Sequence, residues 1–195
     1  MLSEHDKMLS GAIYNTRDPG LLATAHRARV LLAEYNSTAS TEADARHALL
    51  TQLLRSVADG VWIEPPFFID YGIQTEIGLN TFINVNCVFL DSAEIHIGAN
   101  GLIGPAVQLL TAFHPLRARD RITPDWTSES GDSPFRTQAA PIRIGNNVWL
   151  GAGTLVMPGV TIGDDTTIGA GSIVTSDIPA GVLAFGQPCR VQREL

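Results

Sequence analysis

The chain has 195 residues, of which 45% are hydrophobic, and this length allows one substantial core or one solenoid with a small helical appendage. Its formal net charge of -7 at pH 7 disfavours a general attraction to nucleic acid or to anionic lipid, and favours a small-molecule partner. No apolar run could span a bilayer, and the N-terminal residues lack the apolar core of a secretory signal, so we expect a cytoplasmic protein.

The first part of the chain carries helical periodicity with few glycines, and we predict that residues 1–60 form an N-terminal helical cap. Asp18 followed by Pro19 indicates a helix start, because the carboxylate can accept hydrogen bonds from free amides and proline suits the first turn. The predicted helix ends near Tyr35 and Asn36. Its expected buried face consists of Leu21, Leu22, Ala25, Ala28, Leu31 and Leu32.

A second helix is predicted to follow in the cap. Thr41 and Asp44 resemble a weak capping arrangement at its start, and Gly60 is the expected C-terminal stop. The apolar residues between these signals recur on one helical face. The predicted buried stripe is Ala45, Ala48, Leu49, Leu53 and Val57.

From Val61 the sequence changes to short β-favouring triplets separated by Gly, Asn and Asp, a pattern typical of repeat proteins. A six-residue unit cannot bury its apolar residue alone, so such units must stack, three to each triangular coil. We therefore predict an all-β solenoid over residues 61–195. The regular six-residue step runs through Ile144, Leu150, Val156, Ile162, Ile168 and Val174. Small or β-branched residues stand four positions after the first five of these, at Val148, Thr154, Val160, Thr166 and Ser172.

An earlier block of the chain keeps the same step with one change of frame, which indicates a turn or an insertion. Its members are Tyr71, Ile77, Ile83 and Phe89, followed in a shifted frame by Ile97, Ile103 and Leu109. A β-sandwich is the alternative, but its strands alternate with period two and its turns come at irregular intervals. The unbroken later run favours the solenoid.

The two repeat blocks are separated by about residues 113–140, which we predict to be a long inserted loop. Trp126 and Phe135 lie in this segment together with several charged residues. Loops of this length within compact domains are usually functional or disordered. We therefore expect the loop to fold over a functional site.

Short motifs occur in both the cap and the repeats. In the first half they are Tyr14 to Asp18 with Arg27, Ile63-Glu64-Pro65-Pro66, Asp70-Tyr71-Gly72, Asn84-Val85-Asn86 and Leu90-Asp91. In the second half they are His114-Pro115, IGNNVWLG at 144–151, PGVTIG at 158–163, GAGS at 169–172 and PCRV at 188–191. In order and spacing they resemble the maltose and galactoside O-acetyltransferase branch of the hexapeptide-repeat acyltransferases, which includes nodulation-factor acetyltransferases.

The resemblance implies a left-handed parallel β-helix that assembles as a homotrimer, with each active site in a cleft between neighbouring solenoids. It also implies acetyl-CoA as the acetyl donor, lying along the coils, and a hydroxyl acceptor beneath the inserted loop. Transfer is then expected by direct attack in a ternary complex, with no covalent enzyme intermediate.

His114 matches the general base of that family. An alcohol is a weak nucleophile at neutral pH, so its attack on a thioester needs a base that removes the proton as the bond forms. A histidine with an unperturbed pKa of about 6.5 is largely neutral near pH 7 and suits this task. An ordinary loop histidine is the alternative, but His114 stands where the insertion leaves the solenoid, which favours the catalytic interpretation.

The resemblance also implies residues on the acceptor side. Asn84 and Asp91 are expected to bond the acceptor or orient the base, and Asp18, Asp70 and Phe82 are expected to line the acceptor site. The family often carries tyrosine at the position of Phe82, so one hydrogen bond to the acceptor is absent here. Asn and Asp are also common turn residues, and for Asp91 a turn role and a site role both stay open.

On the coenzyme side, the resemblance implies a narrow groove in which small residues leave main-chain amides accessible to pantetheine. Arginine side chains at one end are expected to bind the phosphates. A serine, Ser176, replaces a lysine of the family, and the Ala152 amide is a candidate donor to the oxyanion. The implied coenzyme-binding residues are Trp149, Ala152, Ala170, Thr175, Ser176, Arg190 and Arg193.

Other functions stay open from the sequence. The acceptor could be an antibiotic, an amine or another molecule that is not a sugar, and a non-catalytic solenoid scaffold would share the same repeats. A zinc hydratase resembling γ-type carbonic anhydrases needs three histidine ligands on adjacent coils, whereas only His96 and His114 lie in the repeats. Cys87 and Cys189 fit no metal-binding spacing, so we predict free buried thiols and no bound metal.

Overall fold

The computed structural model describes residues 2–195. The cap contains three helices, α1 (Glu4–Leu9), α2 (Pro19–Ser37) and α3 (Ala43–Leu53). The predicted start of α2 is confirmed, because the Asp18 carboxylate accepts hydrogen bonds from the amides of Gly20 at 2.9 Å and Leu21 at 3.1 Å. A proline at the first helical position then leaves no amide unpaired there.

The predictions for α3 were partly wrong. The helix begins after Glu42, whose side chain makes no capping bond to the helix, and it ends at Leu53 and not near Gly60. Its buried side is formed by Arg46, Leu49, Leu50 and Leu53, whereas Ala45 and Ala48 are exposed and Val57 lies in a strand. The helix ends early because the following residues, Ser56 and Val57, pair with a solenoid strand.

The rest of the chain forms a parallel β-solenoid with three strands in each coil. The first coil contains β1 (Ser56–Val57), β2 (Trp62–Ile63) and β3 (Phe68–Ile69), and the second contains β4 (Thr75–Ile77), β5 (Phe82–Ile83) and β6 (Val88–Leu90). The third contains β7 (Ile95–Ile97), β8 (Leu102–Ile103) and β9 (Gln108–Leu110). After the inserted segment with β10 (Ala112–Phe113), α4 (Ala118–Arg121) and β11 (Gln138–Ala139), the fourth contains β12 (Ile142–Ile144), β13 (Trp149–Leu150) and β14 (Leu155–Val156). The fifth contains β15 (Thr161–Ile162), β16 (Thr167–Ile168) and β17 (Ile173–Val174), followed by β18 (Val182–Gly186) and β19 (Cys189–Glu194).

Each side of the solenoid is one sheet. The first sheet has the order β1-β4-β7-β12-β15, and the third has the order β17-β14-β9-β6-β3. The second sheet, β19-β18-β16-β13-β8-β5-β2, is parallel except for its terminal β18–β19 hairpin. Since strand β1 already pairs with β4, the solenoid's hydrogen bonding begins within the predicted cap, and the division at residue 60 stays a prediction.

The aliphatic ladder predicted from the six-residue step is confirmed. Ile144, Leu150 and Ile162 have no solvent exposure, and each lies beside the equivalent residue of the next coil. The predicted small positions are buried with them, including Thr154, Thr166 and Ser172. Cys87 and Cys189 are free and buried, as predicted.

One corner of the solenoid departs from the six-residue step. Inward residues Ile69 and Ile77 are eight positions apart, as are Phe89 and Ile97, so the turns between the third and first sheets are longer in the early coils. The predicted frame is therefore confirmed for Ile77, Ile83 and Phe89, and it was wrong only at Tyr71. The Tyr71 side chain belongs to a separate cluster beneath the cap, which also contains Met8, Tyr14, Leu21 and Ala25.

The inserted segment leaves and re-enters the solenoid at this same corner. Strands β10 and β11 form its antiparallel base, and α4 adds one helical turn. The far end of the inserted segment, around Asp132 and Ser133, lies on the cap. The Asn15 side chain donates to the Asp132 carboxylate at 3.0 Å and accepts from the Ser133 amide at 3.0 Å. The Arg17 guanidinium stands 5.4 Å from the centre of the Trp126 ring. The loop is thus held against the N-terminal helices.

Candidate active site

A cavity of about 370 Å³ lies between helix α2, the extended corner and the inserted loop. It contains His114, which follows strand β10, and Asp70, which follows strand β3. The Arg29 side chain reaches it from α2, on the same helical side as Leu22 and Ala25. The cavity is lined by Tyr14, Thr16, Leu21, Leu22, Ala25, Arg29, Asp70, Tyr71, Ser92, Ala112, His114, Ser133, Phe135 and Thr137.

The His114 ring is fixed by the main chain of the inserted loop. Its Nδ1 lies 2.8 Å from the carbonyl oxygen of Arg136. A carbonyl oxygen can only accept a hydrogen bond, so Nδ1 carries the proton in the neutral ring and the lone pair is at Nε2. The side chain is exposed toward the cavity, and this tautomer leaves Nε2 free to accept a proton.

Two carboxylates beside this cavity have different surroundings. Burial raises the pKa of Asp70 above its ordinary value, and the positive charge of Arg29 opposes the rise. Asp91 is fully buried, and it accepts hydrogen bonds from the Tyr71 amide at 2.8 Å, the Gln74 amide at 3.4 Å and the Thr75 hydroxyl at 3.2 Å. Its burial raises its pKa to about 7, against the effect of these bonds. Asp91 therefore holds the extended turn between β3 and β4.

A separate apolar groove of about 570 Å³ runs across the second sheet. Asn84, Trp149, Ala152 and Ala170 lie along it, and Trp149 is half exposed. The neighbouring coils approach so closely here that a Cβ on Gly151 would lie 2.5 Å from the Ala170 amide nitrogen. The full lining is Asn84, Leu102, Ile103, Gly104, Pro105, Trp149, Gly151, Ala152, Thr167, Ile168, Gly169, Ala170 and Leu183.

The groove and the His114 cavity share no lining residue. His114 stands at the corner that carries the inserted loop, whereas Asn84 and Ala152 follow strands β5 and β13 of the second sheet. The cavity and the groove are therefore two separate spaces within one chain.

Comparisons with known proteins agree with this architecture. Residues 7–58 match the maltose acetyltransferase hexapeptide capping motif, and residues 141–176 match the bacterial transferase hexapeptide family with six repeats. Nodulation protein L of Rhizobium meliloti is 42% identical, with 97% of this chain and 98% of the relative covered. The chain belongs to the hexapeptide-repeat acetyltransferases of the maltose and galactoside type.

Solved structures extend the comparison to the complete fold of this acetyltransferase. The crystal structure of a maltose O-acetyltransferase from Clostridium difficile superposes with a TM-score of 0.91 at 39% identity, covering 100% of this chain and 98% of that one. A galactoside acetyltransferase solved in complex with coenzyme A has a TM-score of 0.89 at 36% identity, covering 100% and 92%.

The structure of the acetyltransferase brings some of the predicted site residues together and leaves others apart. The His114 cavity includes Asp70, and the groove includes Asn84, Trp149, Ala152 and Ala170. Phe82 lies on the second sheet beside the groove residue Leu102. Thr175, Ser176, Arg190 and Arg193 are exposed near the C-terminal end and line neither space. Asp18 caps α2, so its carboxylate already has local partners.

Several lining residues were not found by sequence reasoning. Phe135 was noted only as an aromatic residue of the loop, and Arg29 and Ser92 were not singled out at all. The helical spacing of Leu22, Ala25 and Arg29 is a signal that could have placed Arg29 on the inner side of α2. Ser92 carried no comparable signal, because it lies in one of the lengthened turns.

Neither a metal site nor a membrane-spanning helix is found in the described part of the chain. Within residues 2–195, no three His, Cys, Asp or Glu side chains are arranged to hold a metal ion. Among the same residues, no helix has the length and apolar character needed to cross a membrane. His96 is exposed on strand β7, as expected, and its Nδ1 lies 3.6 Å from the Glu76 carboxylate.

Proposed function

We propose that this acetyltransferase moves an acetyl group from acetyl-CoA to a hydroxyl of a sugar or another small polyol, with His114 as the general base. The observation that carries the proposal is the 2.8 Å contact between His114 Nδ1 and the Arg136 carbonyl oxygen, inside a cavity large enough for a small acceptor. Membership of the family supports acetyl-CoA as the acetyl donor. So does the coenzyme A bound to the solved galactoside acetyltransferase.

The reaction is direct attack in a ternary complex. The acceptor hydroxyl gives its proton to Nε2 of His114 while its oxygen attacks the thioester carbon, and a tetrahedral oxyanion forms. The carbon-sulfur bond then breaks, and the departing thiolate of coenzyme A takes the proton from the imidazolium. The neutral base is restored, and no bond to the enzyme forms at any stage. The buried Cys87 and Cys189 thiols, whose pKa values are raised by burial, are unsuited to an acyl-enzyme route.

The apolar groove on the second sheet is the proposed donor site. Its lining of small and apolar residues suits the pantetheine arm, and the exposed Trp149 ring offers a flat surface beside it. Within residues 2–195, no hydrogen-bond acceptor is assigned to the Ala152 amide, so it is a candidate donor to the oxyanion. Thr175, Ser176, Arg190 and Arg193 are proposed to meet the nucleotide end.

The separation of the two spaces supports a site shared between subunits. A thioester in the groove of one chain needs the His114 of another chain to approach it, because the two spaces lie on different surfaces. A homotrimer with cyclic symmetry repeats one such contact at each boundary and closes after three subunits. In this assembly Asn84 and Phe82 of one subunit face the His114 cavity of its neighbour, where they are proposed to contact the acceptor with Asp70 and Asp18.

The test is release of free coenzyme A thiol from acetyl-CoA in the presence of a panel of acceptors. We expect turnover with sugars or polyols and weaker turnover with amines or aminoglycoside antibiotics, together with saturable binding of coenzyme A in calorimetric titration. A protein that binds coenzyme A but turns over only with amines contradicts the hydroxyl acceptor. A protein that binds no coenzyme A is a scaffold and contradicts the proposal as a whole.

A further inference from the structure

Arg121, the last residue of α4, holds the main chain that leaves the proposed base. Its Nη1 donates to the carbonyl oxygen of Leu116 at 3.2 Å and to that of Pro115 at 3.4 Å. These two residues directly follow His114. The side chain of Leu116 is 94% exposed, so packing does little to hold this segment. The guanidinium of Arg121 therefore restrains the backbone immediately after the base.

The main chain of Arg121 reaches the residue that orients the imidazole. Its carbonyl oxygen accepts a hydrogen bond from the Arg136 amide at 2.7 Å. The next residue, Ile122, continues this pairing through an antiparallel bridge to Phe135. The carbonyl oxygen of Arg136 lies 2.8 Å from His114 Nδ1 and accepts the hydrogen bond from the ring. The position of this carbonyl oxygen thus depends on the segment that contains Arg121.

These contacts form a closed path that begins and ends at Arg121. One branch runs from the guanidinium through the carbonyl oxygens of Pro115 and Leu116 to the backbone of His114. The other branch runs from the Arg121 carbonyl oxygen through Arg136 to the His114 ring. The place of an imidazole is set by its backbone, and its orientation by the hydrogen bond at its second nitrogen. Arg121 contributes to both.

The neighbouring arginine of the same helical turn makes no comparable contact. The side chain of Arg119 is 75% exposed, and its one ion pair is a 3.9 Å contact with the adjacent Asp120 carboxylate. An exposed pair of this kind contributes little to stability. The Arg121 guanidinium donates to main-chain carbonyl oxygens, and a hydrogen bond from a charged donor is stronger than one between neutral groups. The two arginines therefore differ in whether they fix the path of the chain.

We propose that Arg121 is a positioning residue for the general base, which keeps His114 where its Nε2 can reach the acceptor hydroxyl. This inference rests on the proposed function. Arg121 lines neither the His114 cavity nor the groove, so it acts through His114 and not by contact with either substrate. Proton transfer needs the base within hydrogen-bond distance of the hydroxyl, and a displacement of about 1 Å can lower the rate by about 10²-fold.

The experiment measures steady-state kinetics of Arg121→Ala with acetyl-CoA and the acceptor that gives the fastest thiol release. We expect kcat to fall by about 10- to 100-fold, because the chain after the base loses its restraint. KM for the acceptor and the calorimetric Kd for coenzyme A should stay within about twofold of the wild-type values. Arg121→Lys keeps a positively charged donor and should recover part of kcat.

A double variant separates positioning from a general structural role. In the His114→Ala background, Arg121→Ala should cause no further loss of residual turnover, because a residue that acts through the base then has nothing left to position. A variant that merely loosens the fold would lose turnover in both backgrounds. Arg119→Ala is the matched control, since it removes an exposed arginine of the same helical turn, and it should keep the wild-type kcat.

Thermal unfolding followed by circular dichroism checks that each variant is folded. If Arg121→Ala does not fold, Arg121→Lys takes its place, with a smaller loss of kcat and unchanged KM expected. Wild-type kcat in the Arg121 variant, a loss confined to KM, or an equal loss in the His114→Ala background would overturn the inference. A large loss in His114→Ala beside a wild-type Arg121 variant leaves the proposed base intact, whereas wild-type turnover in His114→Ala rejects that base and this inference with it.

Discussion

The late coils and the corner that carries the inserted loop are built from different kinds of contact. In the coils from β12 to β17, inward positions such as Ile144 and Ile162 are aliphatic and have no exposure, and the side chain of Asn147 donates to Asp165 at 2.8 Å in the turns. At the loop corner, the buried side chains include Asp91, Ser92 and Tyr71, and a cavity remains beside them. The regular coils form the packed core, and the proposed base lies where the period is broken.

The largest expected effect of a single change at the corner is that of His114→Ala. Turnover should fall by about 10²- to 10⁴-fold, because a positioned general base contributes that much, while affinity for coenzyme A stays near the wild-type value. Steady-state kinetics and calorimetric titration measure the two quantities. His96→Ala, which removes an exposed histidine from β7, is the matched control and should leave both unchanged. Near-normal turnover in the His114 variant would remove this residue from the mechanism.

In the regular coils, the largest expected effect is on stability. Ile162→Ala should lower the free energy of unfolding by about 2 to 5 kcal/mol, because it leaves a cavity in a ladder with no solvent exposure. Chemical denaturation followed by circular dichroism measures the loss. The exposed neighbour Thr161 provides the control, and Thr161→Ala should change stability by no more than about 0.5 kcal/mol. Similar losses in both variants would contradict the packed ladder.

Asp91 should make the stability of the corner depend on pH. Its pKa is about 7 in the folded protein and 3.8 in the reference state, so the folded state binds more protons between these values. The free energy of unfolding should therefore fall as pH rises from about 4 to 7, by at most about 1.4 kcal/mol per pH unit, and level off above.

The matched variant is Asp91→Asn, which cannot ionise. Denaturation at several pH values should show that the wild type loses stability relative to the variant as the pH rises from 4 to 7. A constant difference across this range would show that Asp91 has an ordinary pKa.

The smallest expected effect separates two roles of Asp18. Asp18→Ala removes the cap of α2 and should cost about 1 kcal/mol, whereas Asp18→Asn keeps an oxygen acceptor and should cost little. Thermal or chemical denaturation measures the loss of stability in each variant. If Asp18 also contacts the acceptor, both variants should raise KM for the acceptor. Wild-type KM in Asp18→Asn would limit this residue to capping.

Much of the fold could be predicted because short-range patterns repeat. The step from Ile144 to Val174 predicted the coils, and Asp18-Pro19 predicted the start of α2, since both signals act over a few residues. The end of α3 could not be predicted in this way. Its stop at Leu53 depends on the pairing of β1 with β4, a contact between segments that are distant in the sequence.

Only part of the candidate site could be predicted, because some of its residues meet through contacts between segments that are distant in the sequence. His114 and the groove residues Trp149, Ala152 and Ala170 were predicted from the resemblance to the family, whose motifs lie at fixed places along the chain. Phe135 and Arg29 reach the His114 cavity from the inserted loop and from α2, and their convergence depends on how the loop packs on the cap. Both a turn role and a site role were predicted for Asp91; its three hydrogen bonds support the turn role, and the site role stays a prediction.

The sequence by itself determined the stacking of coils, the capping of α2 and the family, because each depends on residue type at fixed spacing along the chain. Only the tertiary structure decided which carbonyl holds Nδ1 of His114, which residues the inserted loop adds to the cavity, and that the groove lies on another surface. These features arise from contacts between segments far apart in sequence, where spacing carries no information on distance. The proposed base of this acetyltransferase therefore lies at the one irregular corner of an otherwise periodic protein.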